Sequence, residues 1–258
     1  MKLPDEMKNE IRSKTPHVQT TIHHDYFRHD VIRGLKGNDN IGIELGVAGG
    51  HFSKRLVNSG KFKLVFGVDL YEDHHSVDEY KSAIKLIGLE KNYSLLRMSF
   101  DEALGLFDDN YFDFIYFDGY AHTGEEGGKT FSDWWGKLKP DGIYAGDDYH
   151  DDWPLVIWAV NALAKEVDAK LNITGQTEST NLNHYPSWFF KKSSAHVLTN
   201  VIDKELLEIG LTIREMTRKK IDPSNVTITV EQFLNIVDQV SKNHPELATQ
   251  ALEILKIK

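Results

Sequence analysis

The chain contains no cysteine. Disulfides and thiolate metal centres are excluded, and a cytoplasmic setting is expected. No apolar run approaches the roughly 20 residues that a membrane-spanning helix needs, so no membrane partner is expected. Residues 1–14 are charged throughout and lack the apolar stretch of a secretory signal. Positive charge is also scarce. Lys and Arg number 30 against 39 Asp and Glu, a net charge of -9, whereas nucleic-acid binders carry a basic face, so no nucleic-acid partner is expected.

What is present is an ordinary globular composition. With 258 residues, 40% hydrophobic and 27% charged, the chain can bury one sizeable α/β core and still carry extra helices. Residues 1–20 read as polar and irregular. Ile22, Tyr26, Phe27, Val31, Ile32 and Leu35 then recur at helical spacing, predicting a helix that Gly37 and the Asn38-Asp39-Asn40 cluster end. A strand reads over 41–45. After it, β-rich runs at 63–69, 93–98, 111–118 and 142–146 alternate with helical segments at 51–59, 76–88, 101–107 and 126–138.

That alternation predicts a doubly wound, Rossmann-like α/β fold: a mostly parallel, seven-stranded sheet with helices on both faces. A helix at 153–167 and strands near 171–176 and 184–191 complete it, one of those strands antiparallel. Residues 195–258 read as three amphipathic helices, with Phe233, Ile236, Val237 and Val240 on one face and Leu247, Ala251, Leu252 and Leu255 following Pro245. The expected organisation is an N-terminal helical segment over 1–39, a ligand-binding domain over 40–192, and a C-terminal helical extension over 193–258 that could serve as an arm for a homo-oligomer.

Chemistry-bearing residues fall at the strand ends. Glu44-Leu-Gly-Val-Ala-Gly-Gly-His-Phe-Ser53 follows the first sheet strand and opens a helix. Gly46, Gly49 and Gly50 allow a tight turn and close backbone approach to a ligand. The spacing is not the G-x-G-x-x-G of a pyrophosphate loop, which speaks against a nicotinamide dehydrogenase. An acidic residue at the strand end suits a cationic ligand, and S-adenosylmethionine carries both an ammonium and a sulfonium. Asp69 ends the next strand, where a carboxylate can accept the hydroxyls of a ribose, or cap the following helix. Tyr71 could pack on the adenine. Ser99 and Phe100 follow the third strand: Ser99 either hydrogen-bonds a base or caps the next helix, and Phe100 offers a stacking wall.

The fourth strand ends in Asp118 and the fifth in Gly146-Asp147-Asp148. Carboxylates converging at one sheet edge repel unless a cation neutralises them, and an all-oxygen set suits a hard ion such as Mg²⁺. The other reading has Asp147 and Asp148 capping the next segment. His122, four residues past Asp118, is a candidate general base or a plain loop residue. Trp153 and Trp188 are candidate pocket walls or core residues.

Glu44-Leu-Gly-Val-Ala-Gly-Gly, Gly67-Val-Asp69, Phe114-Ile-Tyr-Phe-Asp118-Gly and Leu138-Lys-Pro-Asp-Gly-Ile-Tyr-Ala-Gly-Asp-Asp-Tyr149 resemble, in order and spacing, the successive motifs of class I S-adenosylmethionine-dependent methyltransferases over residues 40–190. Within that class the acidic residues resemble the metal sets of catechol O-methyltransferase and of the macrocin and mycinamicin sugar O-methyltransferases. The resemblance implies Mg²⁺ at Asp118, Asp147 and Asp148. It implies cofactor contacts at Glu44, Gly46, Asp69 and Ser99, to which Val47, Gly49, Leu70, Phe100 and Asp118 are added. Asp118 and His122 are the candidate catalytic residues. The catechol enzyme's lysine, three residues after its first metal Asp, has no counterpart, because position 121 is Ala. The sugar enzymes' histidine at that offset falls one residue later here, at His122. The expected function is metal-assisted methylation of a hydroxyl on a small molecule. Its rivals are a metal-independent methyltransferase with a nitrogen or carbon acceptor, and a non-catalytic binding protein, whose mark would be loss of Glu44 or Asp69.

Overall fold

The computed structural model describes residues 3–72, 75–119, 124–176, 184–193, 198 and 203–217. These belong to a compact unit spanning residues 1–217. Its centre is one eight-stranded sheet: β1 (Thr20–His23), β2 (Asn40–Leu45), β3 (Phe62–Asp69), β4 (Tyr93–Arg97), β5 (Phe112–Phe117), β6 (Leu138–Gly146), β7 (Leu171–Thr174) and β8 (Trp188–Lys191). The spatial order is β1-β7-β8-β6-β5-β2-β3-β4. All neighbouring pairs are parallel except those of β8, which runs antiparallel to both β6 and β7.

The helices are α1 (Asp5–Lys14), α2 (His51–Asn58), α3 (Val77–Ala83), α4 (Phe100–Leu104), α5 (Lys129–Trp135), α6 (Pro154–Glu166) and α7 (Lys204–Thr217); a 3₁₀ helix spans Arg28–Gly34. Because successive side chains of a strand point to opposite faces, each buried strand feeds two cores. Ile115 and Phe117 of β5 join one cluster with Trp134 of α5 and Val156 of α6. Phe114 and Tyr116 join a second with Phe52 and Leu56 of α2 and Val31 of the 3₁₀ helix. Each of these fully buried side chains contributes about 2 kcal/mol of transfer free energy. The doubly wound architecture expected from the alternation is the one observed.

Three features depart from the reading of the sequence. First, the sheet has eight strands rather than seven. Residues 20–23, partly assigned to a helix over 22–35, form β1 and pair with β7 from Thr20↔Leu171 to His23↔Thr174. Two threonines and an isoleucine are β-branched and suit an edge strand. Secondly, only Val31 and Ile32 of the remaining apolar positions lie on the short 3₁₀ helix, both buried, with Phe27 and Leu35 flanking it. Thirdly, residues 5–14, read as irregular, form α1. Asp5 and Glu6 open it and Arg12 and Lys14 close it, as the helix dipole favours, and Ile11 is fully buried.

Of the C-terminal residues read as helical, 204–217 form α7, with Leu206 and Ile213 buried. The faces centred on Phe233 and Leu252 lie outside the described residues. Among those described, no helix is long and apolar enough to cross a membrane.

Candidate functional site

Parallel strands β2 to β6 all point their C-terminal ends to one edge of the sheet, the edge where this architecture receives ligands. The turn from β2 to α2 lies at its centre. Gly46 N–H donates to the Val68 carbonyl at 2.8 Å, and Asp118 N–H donates to the Leu45 carbonyl at 2.7 Å, so the turn is fastened to the strands on both sides. Gly46 has φ 101°, and a Cβ there would stand 1.9 Å from the Asp118 carbonyl oxygen. No other residue fits.

Asp69, at the end of β3, is 5% exposed and draws the same turn toward itself. Its Oδ2 accepts from Val47 N–H at 2.9 Å, from Ala48 N–H at 3.0 Å and from His75 Nδ1 at 2.7 Å. Its Oδ1 accepts from Tyr71 N–H at 3.0 Å. Tyr71 itself is 2% exposed and donates its hydroxyl to the Ala48 carbonyl, so it supports the turn from beneath rather than standing open to a base.

Glu44 is 1% exposed. Ser53 of α2 donates to it, and Tyr93 reaches the same Ser53 hydroxyl at 2.9 Å. Burial raises the Glu44 pKa to about 8, against the downward pulls of Arg28 and Ser53. Below that pH the carboxyl holds a proton until a cation comes near it.

On the far side of the turn, Asp118 and Asp147 converge as the strand order requires. Between them lies Arg28, the first residue of the 3₁₀ helix. Its Nη2 donates to Asp118 Oδ2, and its Nη1 lies 2.9 Å from Asp147 Oδ2. The guanidinium stands over the Phe52 ring at 4.5 Å and the Tyr116 ring at 5.0 Å. Burial alone would lower its pKa, but Asp118 and Asp147 outweigh that and hold it above the ordinary guanidinium value. Ser187, fully buried, donates to Asp147 Oδ1 at 3.0 Å and meets the Tyr116 hydroxyl at 2.9 Å.

The remaining site residues divide. Ser99 caps α4: it accepts from Glu102 N–H at 3.2 Å, while Glu102 accepts from Ser99 N–H at 2.8 Å, a reciprocal capping box. Phe100 is buried against Gly119, where a Cβ would come within 2.6 Å of its ring. Val47 is buried on Tyr71 and Ala83, and Gly49 and Leu70 lie half-buried on the two turns. Asp148 takes a left-handed backbone, φ 60°, and is half-buried. Trp188 is fully buried core, whereas Trp153 is 39% exposed and lies 6.2 Å from the Tyr185 ring. His122 lies outside the described residues.

Of the residues expected to contact a cofactor, Glu44, Gly46, Val47, Gly49 and Asp69 are gathered round one turn, whereas Ser99 and Phe100 begin α4. The metal set is not gathered as expected. Among the described residues no group of three or more His, Asp and Glu side chains is arranged to hold an ion. Asp118 and Asp147 already share a fixed organic cation, so the set does not fit a divalent ion. Arg28, Ser53 and Tyr93 were missed in the sequence. Only Ser53, on the helix that the glycine turn opens, lay near a recognisable motif.

Residues 40–149 match the family model of the methyltransferase domain. The matched stretch begins at β2 and ends just past Asp148, so it carries Glu44, the glycine turn, Asp69, Asp118 and Asp147, and leaves out Arg28, Trp153, Tyr185 and Ser187. No curated protein matches the chain. Among solved structures the chain is similar to spermidine synthase from Thermotoga maritima, at 14% identity and TM-score 0.50 over 66% of this chain and 60% of that one. It is also similar to a spermidine synthase in complex with the transition-state analogue AdoDATO, at 14% identity and TM-score 0.50 over 71% and 63%. The N-methyltransferase NodS from Bradyrhizobium japonicum matches at 16% identity and TM-score 0.48 over 65% and 95%. The chain spans about three fifths of the two synthases' length, and at these identities the likeness is one of fold.

Proposed function

We propose that this protein is an S-adenosylmethionine-dependent methyltransferase that methylates a hydroxyl group of a small molecule. The observation that carries the reading is the glycine turn bracketed by two strand-end carboxylates, with Asp69 holding its amides and Gly46 pressed on the Asp118 backbone. In this proposal Asp69 accepts from the ribose hydroxyls, the amides of residues 46–50 line the amino-acid portion, and Glu44 supplies negative charge toward its ammonium.

When bound, S-adenosylmethionine supplies an electrophilic methyl on a sulfonium. The chain's own part is alignment of an acceptor oxygen with that carbon, which converts a bimolecular encounter into an oriented one. Asp118 stands at the junction of the turn and the acceptor side, where a carboxylate can take the hydroxyl proton. Trp153 and Tyr185 wall the acceptor side with aromatic surface. Metal assistance has no step here, because Arg28 holds both carboxylates.

The test is calorimetric titration with S-adenosylhomocysteine. One site per chain is expected, with affinity lost in Asp69→Ala. Absence of heat in the wild-type protein overturns the reading. Transfer of labelled methyl to a nitrogen or carbon, rather than to an oxygen, overturns the acceptor assignment alone.

A further inference from the structure

Two carboxylates at the ends of adjacent parallel strands repel unless a positive charge lies between them. In this protein the positive charge is a side chain. The two terminal nitrogens of Arg28 serve different carboxylates, Nη2 to Asp118 and Nη1 to Asp147, so the planar fork spans the gap from β5 to β6. Phe52 and Tyr116 present ring faces to it. Ser187 fixes Asp147 from behind through the other oxygen. The arrangement is held from the strand side, the aromatic side and the 3₁₀ helix together.

A divalent ion would need the same two carboxylate oxygens and would stand a few ångströms from a guanidinium charge. Mg²⁺ also demands near-octahedral oxygen coordination at about 2.1 Å, with no room for a second cation in its shell. We infer that Arg28 is the resident cation of the Asp118–Asp147 pair and takes the place of a divalent metal ion at this sheet edge. The carboxylate pair then carries a permanent, chelator-proof counter-ion. The inference rests on side-chain geometry alone and does not require the methyl-transfer reading.

Removing the guanidinium should leave two converging carboxylates with no counter-ion, which is a divalent-cation site in the making. The experiment is titration with Mn²⁺ followed by electron paramagnetic resonance, paired with thermal melting in Mg²⁺. The wild-type chain is expected to take up no Mn²⁺ at millimolar concentration and to melt at the same temperature with and without Mg²⁺. Arg28→Ala is expected to bind one Mn²⁺ per chain and to gain several degrees in Mg²⁺, and adding Asp147→Asn should abolish both effects.

If Arg28→Ala does not fold without metal, Arg28→Lys keeps the charge on a single compact ammonium without the planar fork, and a weaker uptake is expected there. Uptake of Mn²⁺ by the wild type, abolished by Asp147→Asn, overturns the inference. So does a folded Arg28→Ala chain that takes up none. Neither readout involves S-adenosylhomocysteine, so cofactor binding can succeed or fail independently of this result.

Discussion

Ser53 of α2 donates its hydroxyl proton to Glu44 of β2, across the glycine turn that joins the two elements. The pair links the third residue of α2 to the penultimate residue of β2. The Glu44 carboxyl that accepts it is 1% exposed. One hydrogen bond and the field of Arg28 do not offset the loss of water, and the carboxyl titrates near pH 8 instead of near 4.5.

That shift makes the ligand-free fold sensitive to pH in a definite direction. Between the unfolded value and about 8, the folded chain binds one more proton at Glu44 than the unfolded chain does. Stability contributed by this group is therefore complete below the unfolded value and falls as pH rises toward 8. Glu44→Gln, which cannot ionise and still accepts from Ser53, should melt several degrees higher than wild type at pH 8 and show little difference at pH 5. Equal melting temperatures at both pH values would mean that Glu44 is solvated in solution.

Ligand binding should expel that proton. An ammonium brought beside Glu44 favours the ionised carboxyl, so its pKa falls on binding. Calorimetry with S-adenosylhomocysteine at pH 7 in buffers of different ionisation enthalpy should report release approaching one proton per site, on the order of 0.9 for a group titrating near 8. Glu44→Gln should abolish the release. Affinity for wild type should strengthen from pH 6 to 7.5. A pH-independent affinity with no buffer dependence would remove Glu44 from the ligand's surroundings.

Much of this site could be read in the sequence because its members end successive strands. Phe62–Asp69 and Phe112–Phe117 announce themselves as buried strands, and the alternation with helices fixes which ends share an edge. From that alone it follows that Asp118 and Asp147 meet and that a cation must answer them. That the cation comes from residue 28 does not follow, since its partners lie 90 and more residues away and no local pattern marks the residue. β1 escaped for the same reason: it pairs with Leu171–Thr174 across most of the chain. Ser99 is the opposite case. In the sequence it reads as a base contact or a helix cap, and in the structure it forms the cap with Glu102, three residues away.

Gly46→Ala should be severe. A methyl group at that position would overlap the Asp118 carbonyl oxygen, a backbone atom that cannot rotate away, and the residue's φ of 101° is strained for any side chain. Loss of about 2–4 kcal/mol of stability is expected, together with loss of S-adenosylhomocysteine binding. Gly60, with φ 69° and open space around its Cβ position, is the control. Gly60→Ala should lose about 1 kcal/mol or less and keep the binding site. Equal effects of the two substitutions would show that the β2–α2 turn yields.

In the proposed cofactor site, His75 and a ribose hydroxyl would compete for the same Asp69 oxygen. The carboxylate oxygen Oδ2 already accepts three donors, two from the turn and one from the His75 ring at 2.7 Å. A carboxylate oxygen has room for about that many, so a ribose hydroxyl reaches Oδ2 only when one donor leaves. The turn amides are fixed by backbone geometry, whereas the His75 donor belongs to a side chain that is 30% exposed. His75→Ala should therefore tighten S-adenosylhomocysteine binding, by about three- to tenfold if the displaced bond is worth about 1 kcal/mol. Asp69→Asn should weaken it, because the two turn amides and the ribose would all lose a charged acceptor. Weaker binding in His75→Ala would instead make His75 part of the ligand's own contacts, turning toward the ribose as it leaves Asp69.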